Sequence, residues 1–197
     1  MATCPPNLQI FQTIKVIRVG HGYDLHRLEP LAPAGAGKPF ILGGICIDHD
    51  RGPVGHSDGD ALLHAITDAI LGALALPDIG QLFPDTDPQW AGKDSSHFLR
   101  AALTLMREKK FQISNLDATV ICERPKIGPV KDKIRYHLAQ LLGCDPSQIN
   151  VKGKTHERVD AVGEGRAIEV HCVALLKSIY ETKSLRKKIL RKYLEIE

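Results

Sequence analysis

The stretch GHSDGDALLHAITDAILGALAL, residues 55–76, has the pattern of a helix, and the other elements are predicted before and after it in the chain. Ser57 or Asp58 can cap the first turn, and Pro77 stops the helix after about Leu76. The apolar residues that recur at helical spacing are Leu62, Leu63, Ile66, Ile70, Leu71 and Leu74. The stretch therefore predicts a helix with one apolar side.

Strand patterns and further helices lie on both sides of this helix. The predicted strands are 15–20, 40–47 (kinked at Gly43-Gly44), 116–122, 149–153 and 167–176. Further helices are predicted at 94–110 and at 129–142, which Gly143 ends, while 30–39, 77–93 and a glycine-punctuated turn at 163–165 are loops. Strands interleaved with helices predict an α/β (α+β) sandwich, in which helices cover one face of a single sheet.

The strand at 167–176 has apolar residues on both of its sides. One side carries Ile168, Val170, Cys172 and Ala174, and the other carries Ala167, Glu169, His171, Val173 and Leu175. Because helices are expected to cover only one face of the sheet, the other face is expected to pack against another subunit. The pattern therefore predicts a homo-oligomer.

Length and composition exclude several classes of protein. A chain of 197 residues with 43% hydrophobic and 25% charged residues suits one globular domain. No apolar run approaches the roughly 18–20 residues that span a bilayer, and 5% aromatic residues argue against a base-stacking platform for nucleic acids. We divide the chain into an extension at 1–14, a single domain at 15–178 and a tail at 179–197 that is expected to be helical.

Cysteine usage and charge point to a reducing compartment and a basic tail. The five cysteines are odd in number and form no Cys-x-x-Cys pair, which excludes a disulfide framework and a zinc finger. Together with a start that lacks the pattern of a secretory signal or transit peptide, this predicts a cytoplasmic protein. The net charge is +3, but residues 177–197 hold seven Lys/Arg and three acids, so the remainder sums to −1.

Two short segments offer ligands for a divalent metal. Asp24 and His26 stand two residues apart, so in an extended segment both side chains project to the same side. His64 shares a helical stripe with Asp60 and Asp68, and the glycine-flanked start of that helix suits a phosphate. The alternative is structural: Asp24 caps a turn, His26 is a surface histidine, and the acids only cap and solvate the helix.

Two further clusters follow predicted strands. KGKTHER, residues 152–158, offers lysines, a hydroxyl and a carboxylate for phosphate and a hard cation, although it also suits a solvated loop. CERPK, residues 122–126, has a backbone stiffened by proline that can contact a flat ligand edge. The sequence contains no P-loop, no dinucleotide-binding Gly-x-Gly-x-x-Gly and no nucleophile elbow, and no cysteine stands in an activated context.

Taken together, these clusters resemble the 2-C-methyl-D-erythritol 2,4-cyclodiphosphate synthases of the non-mevalonate isoprenoid pathway. The resemblance covers about residues 16–178. It is carried by RVGHGYDLHRL (18–28), GHSDGDALLHAITDAILGALALPDIGQLFPDTDP (55–88), DATVICERPKIGP (117–129), INVKGKTHE (149–157) and VHCVALL (170–176). It implies a phosphorus-oxygen lyase that converts 4-diphosphocytidyl-2-C-methyl-D-erythritol 2-phosphate into the cyclic diphosphate and releases CMP. It also implies a homotrimer with active sites between subunits.

The same resemblance implies roles for individual residues. Zinc would bind Asp24, His26 and His64, and magnesium or manganese would bind near Glu157. His56 and Thr155 would stabilise the transition state. The implied substrate-binding set is Asp24, His26, His56, Ser57, Asp78, Ile79, Gly80, Phe83, Pro84, Asp85, Thr86, Asp87, Cys122, Pro125, Lys126, Ile127, Gly128, Lys154, Thr155, His156 and Glu157. Residues 122–128 would form the cytosine pocket, and 83–87 a mobile loop over the methylerythritol phosphate.

The chain departs from the family pattern in three places, one of which is Ala161, where some relatives have a phenylalanine. Where the family commonly has Ala-Thr-Thr-Thr-Glu, residues 153–157 are Gly-Lys-Thr-His-Glu. A frequent Gly-Arg-Gly-Glu appears at 163–166 as Gly-Glu-Gly-Arg, so the two charges are exchanged. An ion pair between these positions is therefore expected with reversed polarity.

Two alternatives stay open from the sequence alone. A different metal-dependent phosphoryl enzyme, such as a phosphohydrolase, would use the same Asp/His triplet with water as the nucleophile and give a linear product. A non-enzymatic polyanion-binding module would act through LRKKILRK, residues 185–192, with binding that weakens steeply in salt. The structural reading of that run is a solvated helical face.

Overall fold

A five-stranded sheet organises the chain in the computed structural model, which describes residues 15–179. The strands are β1 (Ile17–Pro30), β2 (Ile41–Leu42), β3 (Ile45–Cys46), β4 (Arg51–Pro53), β5 (Phe111–Ile121), β6 (Ile149–Lys154) and β7 (Ala167–Ser178). The order in the large sheet is β4-β1-β7-β5-β6, in which β5 and β6 are parallel and the other pairs antiparallel, while β2 and β3 pair only with each other.

Three long helices cover one face of this sheet. The helices are α1 (Ala61–Ala73), α2 (Ile79–Leu82), α3 (Ser96–Glu108), α4 (Lys131–Leu142) and α5 (Asp160–Gly163), with 3-10 turns at Pro88–Trp90, Gly128–Val130 and Pro146–Gln148. Helix α1 packs on β1 and β7, and α4 packs on β6. The side of β7 that carries Ile168, Val170, Cys172 and Ala174 is buried. The predicted one-sided α/β sandwich is therefore confirmed.

Helix α1 is shorter than its sequence pattern predicted. Asp60, rather than Ser57 or Asp58, caps it by accepting hydrogen bonds from the backbone N–H groups of Leu62 and Leu63. The last helical residue is Ala73, not Leu76. Asp60 is fully buried and also accepts the N–H groups of Gly43 and Gly44, so one carboxylate joins the helix start to the preceding loop.

The predicted kinked strand at 40–47 is instead a hairpin. Strands β2 and β3 pair antiparallel across Gly43 and Gly44, whose φ angles are +60° and +75°. Both central residues in the left-handed region define a tight two-residue turn that reverses the chain, and glycine reaches this region without steric cost. Two adjacent glycines therefore indicate a reversal here rather than a kink.

Strand β1 is much longer than the predicted 15–20 and contains the whole GHGYDLH motif. Pairing with β7 from Ile17 to Arg27 holds these residues extended, although Gly and Asp have low strand propensity. Gly20 and Gly22 face α1: a Cβ there would lie 1.9 Å from the carbonyl oxygens of Ala69 and Ala65. The glycines therefore let the helix approach the strand closely, next to Asp24 and His26.

The remaining predictions differ mainly at element ends. The helix predicted at 94–110 is α3, and α4 ends at Gly143 in the left-handed conformation, as predicted. The predicted loop at 77–93 contains α2 and a 3-10 turn, and the turn near 163–165 is preceded by α5. The extension at 1–14, the helix predicted for the tail and the run at 185–192 lie outside the described residues.

The sheet face opposite the helices stays open in the single chain. Its exposed apolar residues include Ile17 and Val19, at 62% and 63% exposure, together with Tyr23, Leu25 and Val173. This is the face that the sequence predicted to pack against another subunit. Within residues 15–179, every helix is too short or too polar to cross a bilayer.

Candidate metal and substrate site

The three predicted metal ligands meet where β1 passes the first turn of α1. The Oδ2 atom of Asp24 lies 3.3 Å from Nδ1 of His26 and 3.0 Å from Nδ1 of His64. One ligand atom from each residue lies within 4.8 Å of the others, and all three side chains are partly buried. A carboxylate and two imidazoles in this arrangement suit a divalent ion such as zinc, with room for a further ligand.

The electrostatics of the triad are set by Asp24. Burial by itself lowers the pKa of His64, but the hydrogen bond and the charge of Asp24 outweigh it and raise the pKa overall. Asp60 and Asp68, predicted to flank His64, direct their hydrogen bonds to backbone N–H groups, Asp68 to that of Ile79. Burial raises the pKa of Asp68 and raises that of Asp60 to about 6.

A cavity of about 510 Å³, the metal-side pocket, is lined by the triad and by loops on either side of it. Of the predicted substrate residues, it includes His56, Ser57, Ile79, Gly80, Phe83, Pro84 and Asp85. It also includes residues that sequence reasoning missed: Leu25, Arg27, Val54, Gly55, Trp90 and Phe98. The two aromatic rings carried no sequence signal, because only packing of the 79–90 segment against α3 brings them to the pocket.

Of the substrate residues predicted between positions 78 and 87, three do not line this cavity. Asp78 caps α2 and accepts hydrogen bonds from the backbone and side-chain nitrogens of Gln81. Thr86 and Asp87 also lie outside the lining, although the carbonyl oxygen of Asp87 is 3.4 Å from Nε2 of His56. In this structure Asp78 therefore stabilises the start of α2, whose residues Ile79 and Gly80 line the pocket.

Most of the other predicted residues line a second cavity of about 440 Å³ beside the ends of β5 and β6. We call it the nucleotide-side pocket, after the role predicted for residues 122–128. The predicted residues among its lining are Cys122, Lys126, Ile127, Gly128, Lys154, Thr155 and Glu157. Pro125, which follows a cis peptide bond, lies outside the lining but accepts a hydrogen bond from the Cys122 thiol on its carbonyl oxygen. Burial raises the pKa of Cys122 to about 12, so this thiol stays protonated.

Some side chains of the 152–158 segment line the pocket, and others form ion pairs outside it. The Thr155 hydroxyl lies 2.9 Å from Oε1 of Glu157, and both residues line the pocket. His156 is turned away to Asp160, at 3.0 Å, and Lys152 pairs with Asp117, at 2.6 Å. The expected ion pair of reversed polarity is present nearby, where Arg166 Nε donates to Glu164.

The two pockets lie on different edges of the sheet and share no residue within 15–179. A row of paired residues runs from Asp24 through Val170 and Val120 to Gly153. Three strand spacings of about 4.8 Å place the two ends of this row roughly 14 Å apart. One chain therefore does not bring all the predicted site residues together.

Lys38 is a residue of the site that sequence reasoning missed. Its Nζ donates to the carbonyl oxygen of Gly55 at 2.6 Å, and also to those of His56 and Ser57. An ammonium group that holds three consecutive carbonyls fixes the loop that presents two predicted substrate residues. A lone lysine in a proline- and glycine-rich loop gave no signal for this role.

Comparisons with known proteins agree with this geometry. The model of the YgbB family matches residues 17–177. The chain is 60% identical over 159 residues to the chloroplastic 2-C-methyl-D-erythritol 2,4-cyclodiphosphate synthase of Oryza sativa subsp. japonica, covering 81% of this chain and 69% of that protein. It is 49% identical over 162 residues to the synthase of Idiomarina loihiensis, covering 82% and 98%.

Solved structures show the same fold. An IspF from Plasmodium falciparum, described as a CDP complex, has a TM-score of 0.72 and 41% identity, covering 83% of this chain and 97% of that chain. A bifunctional IspDF from Campylobacter jejuni has a TM-score of 0.79 and 35% identity, covering 86% and 44%.

The matched region spans about two thirds of the plant relatives, 69% of the rice protein and 65% of the Catharanthus roseus protein, and nearly all of the bacterial ones. The family model covers most of this chain, and relatives named as synthases are 60% and 49% identical to it. The chain therefore belongs to the YgbB family, that of the 2-C-methyl-D-erythritol 2,4-cyclodiphosphate synthases.

Proposed function

We propose that this chain converts 4-diphosphocytidyl-2-C-methyl-D-erythritol 2-phosphate into 2-C-methyl-D-erythritol 2,4-cyclodiphosphate and CMP, as a phosphorus-oxygen lyase. The observation that carries this proposal is the Asp24, His26 and His64 triad in the wall of a cavity that also contains His56 and Ser57. Family membership supports the same reaction, since the relatives are named for this product.

The reaction is an internal phosphoryl transfer. An oxygen of the 2-phosphate attacks the β-phosphorus of the same molecule, a new P–O bond forms, and the bond from the β-phosphorus to the CMP oxygen breaks. CMP leaves with the electron pair, so the step needs no water, oxidant or strong base. Because both reacting groups are in one molecule, holding them close and in line is the main task of the enzyme.

The donor sets present fit two divalent cations. The carboxylate and two imidazoles of the triad suit zinc, and the Glu157 carboxylate in the nucleotide-side pocket suits magnesium or manganese. Bound cations supply positive charge that offsets the repulsion between the two phosphate groups. Asp24 and His26 would also contact the substrate phosphates through this ion.

Protein groups supply the remaining stabilisation and positioning. His56 and Ser57 line the metal-side pocket and would donate to the phosphate end of the substrate, with the loop fixed by Lys38. Thr155 and Lys154 line the nucleotide-side pocket, where they would donate to phosphate oxygens as charge builds up. Backbone groups of residues 122–128 would form hydrogen bonds with the edge of the cytosine base.

We also propose a homotrimer in which each site combines the metal-side pocket of one subunit with the nucleotide-side pocket of the next. Two observations support this assembly. The pockets occupy different edges of one sheet, and the uncovered sheet face exposes Ile17, Val19 and Val173. Burying such residues favours association, and a ring of head-to-tail contacts would bring unlike edges together.

The location of the protein stays a prediction. The buried thiols of Cys122 and Cys172 are free in the structure, as in a reducing compartment, which supports the predicted cytoplasm. The plant relatives named above are chloroplastic by name.

The reaction is tested by incubating purified protein with the authentic substrate while following CMP release and identifying the product by ³¹P NMR. We expect stoichiometric CMP and a cyclic diphosphate, and we expect one zinc per chain by metal analysis. His64→Ala should lose both zinc and turnover, whereas His137→Ala, on α4, should retain both. A linear phosphate product would instead establish a phosphohydrolase and overturn the proposal.

A further inference from the structure

The imidazole of His64 is contacted at both ring nitrogens. Nδ1 faces Asp24, and Nε2 lies 2.8 Å from Oγ of Ser95 and 3.3 Å from Oγ of Ser57. Ser95 is completely buried at the start of α3, 31 positions along the chain from His64. A hydroxyl and an imidazole nitrogen this close form a hydrogen bond, and the donor is whichever of the two atoms carries the hydrogen.

Asp58 fixes that direction. Its Oδ2 accepts the backbone N–H of Ser95 at 3.0 Å, and its Oδ1 accepts the backbone N–H of Asp60 at 3.2 Å. Both carboxylate oxygens are therefore acceptors already. The Ser95 hydroxyl also contacts Oδ1 of Asp58 in a short hydrogen bond, and in this contact the hydroxyl has to be the donor.

The donor role of the Ser95 hydroxyl affects which nitrogen of the His64 imidazole carries a hydrogen. A serine hydroxyl has one hydrogen, and the hydrogen of Ser95 is committed to Asp58, so only oxygen lone pairs face Nε2 of His64. This contact is a hydrogen bond only when Nε2 carries a hydrogen, which in the neutral imidazole is the one ring hydrogen. Nδ1 is left with a lone pair that points at Oδ2 of Asp24, 3.0 Å away. Two acceptors at that separation repel each other unless a cation lies beside them.

We propose that Ser95, oriented by Asp58, is a positioning residue that holds His64 in the Nε2–H tautomer and so keeps Nδ1 available to a divalent cation. The cation is the one shared with Asp24 and His26, so this inference rests on the proposed function. Outer hydrogen-bond partners of this kind raise the affinity of a histidine for its metal by fixing ring orientation and tautomer.

Ser57 extends the same network toward the substrate. Its Oγ accepts the backbone N–H of Gly59 at 3.2 Å and lies near the same Nε2 of His64. The hydrogen on Nε2 is therefore shared between a buried serine and a serine in the wall of the metal-side pocket. Because the contact to Ser95 is shorter, 2.8 Å against 3.3 Å, Ser57 offers a weaker substitute when Ser95 is removed.

The test measures zinc affinity and tautomer separately on the full chain. Zinc dissociation constants come from competition with a chromophoric chelator. The tautomer of His64 comes from two-bond ¹H–¹⁵N NMR of the metal-free protein, recorded at a pH where the same spectra show His64 to be neutral. We expect Ser95→Ala to weaken zinc binding about 10–100-fold and to give a mixture of tautomers. Ser95→Thr keeps the hydroxyl and should restore most of the affinity.

The matched control is Ser96→Ala. Ser96 is the neighbouring buried serine, at 6% exposure, and in the described part of the chain no hydrogen bond joins its hydroxyl to His64. This variant should bind zinc as the wild type does. If Ser95→Ala does not fold, Asp58→Ala provides the second variant, since freeing the Ser95 hydroxyl to donate to Nε2 should move His64 toward the Nδ1–H tautomer.

Unchanged zinc affinity and an unchanged Nε2–H tautomer in folded Ser95→Ala would overturn the inference and leave the proposed reaction intact. A wild-type chain that binds no zinc overturns the proposed metal chemistry instead. In that case the NMR comparison of wild type with Ser95→Ala still decides whether Ser95 sets the tautomer.

Discussion

The Nδ1 atom of His64 lies 3.0 Å from Oδ2 of Asp24, although 40 positions separate the two residues in the chain. The contact exists because α1 packs against β1 where the strand has Gly20 and Gly22 in place of larger residues. Any change that pushes α1 away from β1 therefore also separates the metal ligands. We therefore expect stability and metal binding to be coupled at this contact.

Gly22→Ala should destabilise the fold and the metal site together. A Cβ at this position would lie 1.9 Å from the carbonyl oxygen of Ala65, so α1 or β1 must move. We expect a loss of about 3 kcal/mol or more in the free energy of unfolding, measured in urea, and weaker zinc binding.

Gly72→Ala is the matched control for this prediction. Gly72 lies on the exposed side of α1, where a Cβ would come no closer than 3.8 Å to the carbonyl oxygen of His21. Alanine has the higher helix propensity, so this variant should be as stable as the wild type or more stable by about 0.5–1 kcal/mol. Equal stability of the two variants would contradict close strand–helix packing.

Lys38→Met should impair substrate binding without removing zinc. The variant keeps the apolar stem but loses the ammonium group that holds the carbonyls of residues 55–57. We expect a 10–100-fold fall in kcat/KM, corresponding to about 1–3 kcal/mol for a charged hydrogen-bond donor. Zinc content should stay at the wild-type level, because the triad lies on β1 and α1.

Lys38→Arg should recover part of that loss, since a guanidinium group can still donate to the carbonyls. Lys133→Met, at an exposed position of α4, controls for the loss of a positive charge and should be unaffected. A Lys38→Met enzyme with normal kcat/KM would show that the 55–57 loop holds its shape without the lysine.

Two inactive variants should restore activity when they assemble together. Asp24→Ala damages only the metal-side pocket, and Glu157→Ala damages only the nucleotide-side pocket. If each site combines the two pockets from neighbouring subunits, random 1:1 mixing regenerates about a quarter of the sites. The measurement is CMP release after co-refolding or co-expression of the two chains.

Each variant refolded alone is the control and should stay inactive. Mixing that restores no activity, in assemblies shown to contain both chains, would place the complete site within one subunit. That outcome would contradict the shared site but not the chemistry proposed for the triad.

Cys122 should resist alkylation although it lines a pocket. Burial raises its pKa to about 12 from the ordinary 9.0, which lowers the thiolate fraction near pH 8 about a thousandfold. Exposed Cys46 is the internal reference. Peptide mapping after a short iodoacetamide treatment should find Cys46 modified and Cys122 intact. Labelling of Cys122 should rise with pH, because only the thiolate reacts.

Local patterns in the sequence were enough for the main elements and for singling out the three candidate metal ligands, which the structure brings together. The apolar period of 62–74 predicted α1, and alternation along 167–176 predicted which residues share each side of β7. The two-residue spacing of Asp24 and His26 predicted that they share a side. These features depend on neighbours a few residues apart, so the order of side chains already specifies them.

Long-range packing decided what the local pattern could not. The extent of β1 through GHGYDLH depends on pairing with β7, and the cap of α1 is Asp60 because its carboxylate also accepts the N–H groups of Gly43 and Gly44. Trp90 and Phe98 line the metal-side pocket, and Lys38 holds the 55–57 loop of its wall, only through contacts between segments distant in the chain. Residue types and spacing by themselves determined which groups are candidates to bind metal and phosphate. The tertiary structure decided how the candidate ligands are oriented, because hydrogen bonds between distant segments form only when those segments pack together. It also decided that the two pockets of one chain lie on different edges of the sheet, because the order of the strands exists only in the folded chain.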